Sequence, residues 1–423
     1  MAYPSLVSRN AQEHRRALEN FYVRFAGLWP ETLCGAFDLL GIYDLPRREI
    51  AAITQATEAI GRIYNRTASL LRTIQDEALL QMGVSKSTLQ FSRTGFSRMP
   101  DTVIGRLDLV RTDVGYKLLD FNADTPGLLV ETFAVNAKVC EESEKIDPNR
   151  SGEAALAARL ETAIRAGLEY VGKAEWEPAQ IVFTSCGRHP ADREIAEYLM
   201  GLLDLPQRMR KRYVALEKLR ARRDGLYDPD GNPIDVLYRH HPLQFLLQRL
   251  DRNSELPAAE LLPNLVQEHK LALINPPFAF LLENKAVQAL IWNLYKSGIY
   301  FVPGERSLIE RYMLPTYLDP AFDEQAYVVK PVYGREGDTI SIVDPKKEQA
   351  WESTTRTYWE QARVYQEYIE LPKIEAMTEC GPRVLNLLAS CFLVAGQAIG
   401  IGMRAGEAVT DESWWFVPVC IAD

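Results

Sequence analysis

Arg106 and Asp108 lie two residues apart in TVIGRLDLVRT, and Asp120 and Asn122 repeat that spacing in YKLLDFNA. On β-strands this spacing puts both members of each pair on one face. Leu107, Leu109, Leu119 and Phe121 then point to the opposite face, the natural core side. The intervening T-D-V-G-Y predicts a three-residue hairpin loop, Asp113-Val114-Gly115, with Gly115 where a left-handed backbone is wanted. That register sets Thr112 opposite Tyr116, Asp108 opposite Asp120 and Arg106 opposite Asn122. Two carboxylates, an amide and a guanidinium therefore share a face. Like charges directly opposite each other destabilise a sheet. A cation between them reverses the sign, and oxygen-only ligands suit Mg2+ with phosphate oxygens completing its octahedron. A solvated hairpin face with an Arg–Asp salt bridge has the same spacing, and the residues alone leave both readings open.

A second group lies in YVVKPVYGREGDTISIV, where one strand ends at Lys330-Pro331, Gly334-Arg335-Glu336-Gly337 follows, and another strand begins. Glycines between strands let the backbone close over an anion and present N–H groups to it. The segment is not a Walker A loop, because it has no G-K-[ST] and no helix after it. A plain hairpin loop would carry the same glycines; Lys330 and Arg335 favour phosphate. Lys285, in E-N-K at the head of the helix AVQALIWNLY, is a further cation for a phosphate or an adenine ring. Gln366-Glu367-Tyr368 follows a strand and offers backbone and side-chain partners for an adenine amine and a ribose. Arg404 ends G-Q-A-I-G-I-G-M-R, whose glycines permit close approach of another chain or a ligand.

The elements that must position these residues change character along the chain. Residues 10–90 read as helical, with Pro46 as a first helical residue and Ile53, Ala56, Ile60 and Ile63 at helical spacing. TPGLLVETFAVNAKVC reads as a helix capped by Thr125 or Asp124, with Pro126 in its first turn. Such an end offers unpaired N–H groups to an anion, so Thr125 is expected to help hold an acyl-donor carboxylate, with simple capping as the alternative. IVFTS, IDVLYR and LALIN, each a short strand before a helix, imply an α/β layer with parallel strands. The last third, from AYVVKP to QAIGIGMR, reads as an antiparallel, nucleotide-covering half. The division expected is a helical region at 1–98, a metal-face hairpin with an α/β layer at 99–270, and a nucleotide-binding region at 271–423.

Bulk properties narrow the partners. The 423 residues are 47% hydrophobic and 25% charged, an ordinary globular composition. A net charge of −9 argues against nucleic acid and is compatible with a cationic substrate such as a polyamine. Cys34, Cys140, Cys186, Cys380, Cys391 and Cys420 are scattered with no C-x-x-C pair, as expected of free thiols in a reducing cytosol. Neither a signal-peptide core nor a membrane-length apolar run is visible, so a cytoplasmic protein without a membrane partner is expected. His240 and His241 are adjacent and point to opposite strand faces, which disfavours a metal pair.

Taken in order, six segments resemble the synthetase part of the glutathionylspermidine synthase family. They are RLD at 106–108, DFNADTPGLLVET at 120–132, ENKAVQALIW at 283–292, VVKPVYGREGDTI at 328–340, YQEYI at 365–369 and GIGMR at 400–404. The resemblance implies a mixed α/β (α+β) fold: a circularly permuted, ATP-grasp-like ligase with a preceding α/β layer and an N-terminal helical region. It also implies roles. Asp108, Asp120 and Asn122 would hold Mg2+, Lys285 and Lys330 would contact ATP, and Gly334 to Gly337 would cover the phosphates. Arg106 and Arg404 would stabilise the transferring phosphoryl group. The implied reaction joins a carboxylate to an amine through an acyl phosphate and releases ADP and phosphate. This sequence departs from the family at Asp120, where Glu is common, and at Leu243 and Gln244, where Trp-Glu is usual. It departs again in N-P-P-F-A-F, where a Trp-Lys pair usually precedes Asn284. The shortening at Asp120 is tolerable; the other departures touch the substrate walls, so the acid and the amine stay open. A non-catalytic ATP-binding module and a ligase for a peptide or cell-wall precursor are the competing readings. Asp108→Ala or Asn122→Ala is expected to abolish turnover with the fold intact.

Overall fold

The computed structural model describes residues 10–24, 41–174, 176–250, 258–346, 351–378, 380–409 and 414–422; Cys34 lies outside them. An antiparallel sheet forms the centre. Its strands run Trp415–Val417, Gln397–Gly406, Gly381–Val394, Ile104–Thr112 and Gly115–Asn122, with Lys373–Thr378 also pairing Gly381–Val394. Its strands thus come from both sides of residue 270. The helix Arg47–Leu71 packs on this sheet through buried Ile53, Ala56, Ile60 and Ile63. Tyr64 meets Phe121 edge-on with ring centroids 4.8 Å apart. Pro46 is extended (φ −60°, ψ 143°) and precedes the first helical residue, one position earlier than its sequence context predicts.

Two further layers complete the mixed α/β architecture. A parallel sheet runs Met209–Tyr213, Ala179–Ser185, Val236–His240, Ala272–Ile274. The helices Gly152–Tyr170 and Pro190–Leu202 pack on it, so Ala179–Ser185, Val236–His240 and Ala272–Ile274 are near-continuously buried, as covered parallel strands must be, while the edge strand Met209–Tyr213 is partly exposed. An antiparallel sheet of five strands runs Thr316–Tyr317, Arg363–Glu367, Tyr327–Pro331, Ser341–Val343, Trp351–Glu352. Among the described residues, no helix is long and apolar enough to cross a membrane, and Cys140, Cys391 and Cys420 are free thiols.

Two local expectations differ from the structure. Thr112 pairs with Gly115, not Tyr116, so the hairpin turn is the two-residue Asp113-Val114, and Gly115 takes φ +124°. Leu109 pairs with Leu118 while Asp108 pairs with Asp120, so Leu119 is an extra residue, a β-bulge. The residue saved at the turn is inserted at the bulge, and Asp108 still faces Asp120 and Arg106 still faces Asn122. The helix after DFNADTPG also begins later, at Leu129, after Leu128 at φ +71°. After Leu129 and Val130 it runs through a π-helical turn, Glu131–Val135, and continues as Asn136–Glu142. Thr125 and Asp124 therefore do not cap it, and Pro126 is not in its first turn. Their side chains are engaged elsewhere, Asp124 by Arg239 and Thr125 by Arg335.

Candidate active site

Asp108 is the centre of the site. Its carboxylate accepts from Arg106 Nε (2.9 Å) and Nη2 (3.0 Å), Asn122 Nδ2 (3.0 Å) and Ser390 Oγ (2.8 Å), and pairs with Arg404 Nη2 at 2.8 Å. Ser390 stands directly opposite Asp108 on the neighbouring strand, and Leu388, two residues before it, pairs with Arg404. Burial by itself would raise the Asp108 carboxyl, but Arg106 and Arg404 outweigh it and hold the group well below the usual carboxylate range. Burial lowers the Arg404 guanidinium to about 10, against the pull of Asp108; Trp414 lies beside it, 5.6 Å from ring centroid to guanidinium.

Asp120, across the hairpin, meets Lys285, and Lys330 reaches the residue before it. Lys285, in the cap position of the helix Ala286–Ser297, lies 3.1 Å from Asp120 Oδ2 and donates to the Gly334 carbonyl at 2.9 Å. It thereby ties the glycine loop to the hairpin face. Lys330 is buried, donating to Gln366 Oε1 (2.7 Å) and to the carbonyl of Leu119 (3.1 Å), the residue that the bulge removes from the ladder. Burial lowers the Lys330 ammonium to about 8, with Lys285 adding to the effect and Asp120 and Asp108 opposing it. Gln366 also donates to Gln288 (2.9 Å) and Thr316 (3.4 Å), so its side chain positions Lys330 and does not face outward. The backbone N–H groups of Glu367 and Tyr368 are taken by Pro315 and Ala326 carbonyls. Of this triplet's expected adenine partners, the structure thus commits these two N–H groups and the Gln366 amide internally.

The glycine loop is anchored by charge. Arg335 donates to Glu283 Oε1 at 2.5 Å and to Thr125 Oγ1 at 3.2 and 3.3 Å. Glu283 Oε2 accepts the backbone N–H of Asp124 at 2.8 Å. Asp124 makes a two-pronged pair with Arg239 at 3.0 and 2.5 Å, and both side chains are fully buried. Glu336 (φ +52°) and Gly337 (φ +70°) turn the chain, and a Cβ on Gly334 would fall 2.2 Å from Pro331 Cγ. A side chain is excluded there. Thr125→Ala removes a neutral acceptor from a charged donor that keeps Glu283. It is expected to cost about 1.5 kcal/mol, read as a lower urea midpoint with an unchanged m-value.

Among the described residues no three His, Cys, Asp or Glu side chains gather as a metal-binding group. The candidate donors are two carboxylates and an amide oxygen, and their type fits a hard divalent cation that takes its remaining ligands from a phosphate. Asp108 faces Asp120 in register with Asn122 beside them. The guanidinium partners of Asp108 now balance the charge that such a cation would balance. His240 belongs to the core: it bonds Tyr238 at 3.2 Å, and burial lowers its imidazole to about 3.

Sequence reasoning missed several residues here. Ser390, Glu283, Asp124, Arg239 and Asn275 are all buried polar groups. Asn275 binds both N–H groups of Val103–Ile104 and three carbonyls, of Ile104, Ala123 and Asp124, fixing where the hairpin starts and ends. A usable signal was polar residues ending apolar strands, as in LYRH and ALIN.

The family model for "Glutathionylspermidine synthase preATP-grasp" matches residues 37–422. A protein of Haemophilus influenzae named "Putative acid--amine ligase" is 24% identical over 338 residues, which cover 78% of this chain and 77% of that protein. A glutathione synthetase-like effector from Globodera pallida, solved in its apo form, shares the fold with a TM-score of 0.58 at 14% identity, covering all of both chains. The match runs through the hairpin, the lysines, the glycine loop and Arg404 alike, so this chain belongs to the glutathionylspermidine synthase preATP-grasp family.

Proposed function

We propose that this protein is an ATP-dependent carboxylate–amine ligase that works through an acyl phosphate. The observation that carries the reading is the convergence of Arg106, Arg404, Lys285 and Lys330 on one hairpin face bearing Asp108, Asp120 and Asn122. Phosphoryl transfer asks mainly for positioned positive charge around the moving group. Mg2+ would be held by Asp108, Asp120 and the Asn122 amide oxygen, and would neutralise the phosphate charge. Arg106 and Arg404 would stabilise the phosphoryl group, with Lys285 and Lys330 on the nucleotide phosphates. The Gly334–Gly337 loop would close over them, held by Arg335. The donor carboxylate would attack the γ-phosphorus, and an amine would then displace phosphate from the acyl carbon. Glutathione and spermidine are the first pair to try, on the strength of the family alone.

Spent nucleotide separates this route from adenylation. With a panel of carboxylates and amines, glutathione and spermidine included, the expected products are ADP and orthophosphate in equal amounts. AMP and pyrophosphate would overturn the acyl-phosphate route and leave ligation standing. Nucleotide binding with no turnover across the panel would favour a binding module.

A further inference from the structure

Glu131 has no part in that scheme, and its surroundings are unusual. It opens the π-helical turn Glu131–Val135, which is pressed onto the strand that carries Arg404. A Cβ on Gly400 would lie 2.5 Å from the Phe133 ring, and one on Gly402 would lie 2.8 Å from Thr132 Oγ1. The glycines expected to admit a ligand admit this turn instead, and so fix where Glu131 stands. The side chain is only 8% exposed, and its Oε2 has no hydrogen-bond partner; the carboxylate accepts its own backbone N–H. Arg106 of the hairpin acts on it electrostatically, and Glu194 and Tyr198, from the helix Pro190–Leu202, feel its charge. Tyr198 in turn donates to Glu153 at 2.6 Å.

A buried carboxylate oxygen without a partner is costly, and the Glu131 turn packs on the strand that carries Arg404, assigned to the phosphoryl group. Burial raises the Glu131 carboxyl to about 7, against the lowering effects of its own N–H and of Arg106. Burial, with Glu131 and Glu197, raises Glu194 to about 8. Glu194 is only half-buried and offers a way out to solvent. The second half-reaction needs such groups: an acceptor amine is an ammonium at neutral pH and cannot attack until it loses a proton. A general base serves best when it titrates near the working pH.

We propose that Glu131 takes the proton of the attacking ammonium and that Glu194 passes it on to solvent. This rests on the ligase reading. The ammonium gives its first proton to the Glu131 carboxylate, leaving a neutral amine with a free electron pair. That pair forms the C–N bond at the acyl carbon, and the C–O bond to phosphate breaks with its electrons on the phosphate. The second nitrogen proton leaves with the phosphate. The two acids also select a cationic acceptor over a neutral nucleophile.

Hydroxylamine, largely unprotonated at neutral pH, needs no base and reports the acyl phosphate as a hydroxamate. Glu131→Gln is expected to lose at least about 100-fold in kcat with the best primary amine of the panel, while hydroxamate formation stays within a few-fold of wild type. Retained amine turnover would overturn the proposal. So would parallel loss of both products, or a wild type that accepts hydroxylamine but no primary amine. A wild type that forms neither hydroxamate nor phosphate with any carboxylate would sink the ligase reading itself, and the base with it. Thermal unfolding supplies a readout without turnover. The folded state binds the Glu131 proton more tightly than the unfolded chain, so ionisation destabilises the wild type as pH rises from about 4.5 to about 7. The Tm of Glu131→Gln relative to wild type should therefore rise across that window. A Tm difference that does not change with pH would overturn the assignment of Glu131 as the titrating group. Glu194→Gln, on a half-exposed position, is the second variant: it should slow amine turnover at neutral pH less than Glu131→Gln, again sparing hydroxamate.

Discussion

Asp108→Ala is expected both to stop turnover and to weaken the fold. Sequence spacing alone suggests a solvated ligand whose loss leaves the fold intact. The structure places the carboxylate in the interior, shared by Arg106, Arg404, Ser390 and Asn122. Removing it leaves two buried guanidinium groups facing each other without a counter-charge, a change that typically costs about 3–5 kcal/mol. Loss of one charge-organising group at a phosphoryl-transfer site removes about 10²–10³ in rate on top of that. Chemical denaturation and steady-state phosphate release, measured on the same preparation, read the two effects. Near wild-type turnover in a folded variant would remove Asp108 from the chemistry, and unchanged stability would remove it from the ion cluster. The pH dependence has a defined sign. Because the folded carboxyl is held below its ordinary range, its contribution is complete at neutral pH. It is lost only as pH falls through the folded value, in strong acid. Asn122→Ala deletes a neutral donor to the same carboxylate and should cost far less stability for a comparable loss of rate.

Asp124→Ala should be the most destabilising single change outside the hairpin face. Its pair with Arg239 has no solvent contact on either side chain, and Asp124 also accepts the Leu243 N–H at 3.2 Å. Removing the acid strands a guanidinium that keeps only carbonyl partners, those of His241 (2.9 Å) and Asn275 (3.4 Å). The expected cost is about 3–5 kcal/mol. The paired replacement Asp124→Leu with Arg239→Met removes both charges and should recover much of it, since apolar replacement of a whole buried pair is often neutral. A double variant as unstable as Asp124→Ala would show that shape, not charge balance, is what the pair supplies. The effect reaches the site because Asp124 lies one residue before Thr125, and its backbone N–H holds Glu283, the partner of Arg335.

The polar hairpin was legible because its information is local. Period-two spacing of Arg106, Asp108, Asp120 and Asn122 set their common face, and a glycine-bearing turn brought the strands together. The turn itself was misread by one residue, and the bulge that restores the register was invisible. A bulge is selected by packing on both faces and by the use made of its free carbonyl, here by Lys330. The cap reading of Thr125 failed for a related reason. Local propensity favours a cap there, but a fully buried arginine competes for Asp124 and the loop arginine for Thr125, and a buried charge pair outweighs a cap bond of about 1 kcal/mol.

By itself the sequence determined most strands and helices, which polar residues share the hairpin face, and the glycine loop. These depend on residues close together in the chain, where backbone periodicity and turn chemistry dominate; the family resemblance rests on the order of such local segments along the chain. Tertiary structure alone decided which distant groups meet. Ser390 reaches Asp108 across 282 residues of chain, and Arg335 reaches Thr125 across 210. It also decided that Arg404 is a counter-ion of Asp108, that Gln366 serves Lys330, and that Glu131 stands buried on a turn packed against the Arg404 strand. Desolvation and pairing of buried charge act through space and take no account of sequence separation.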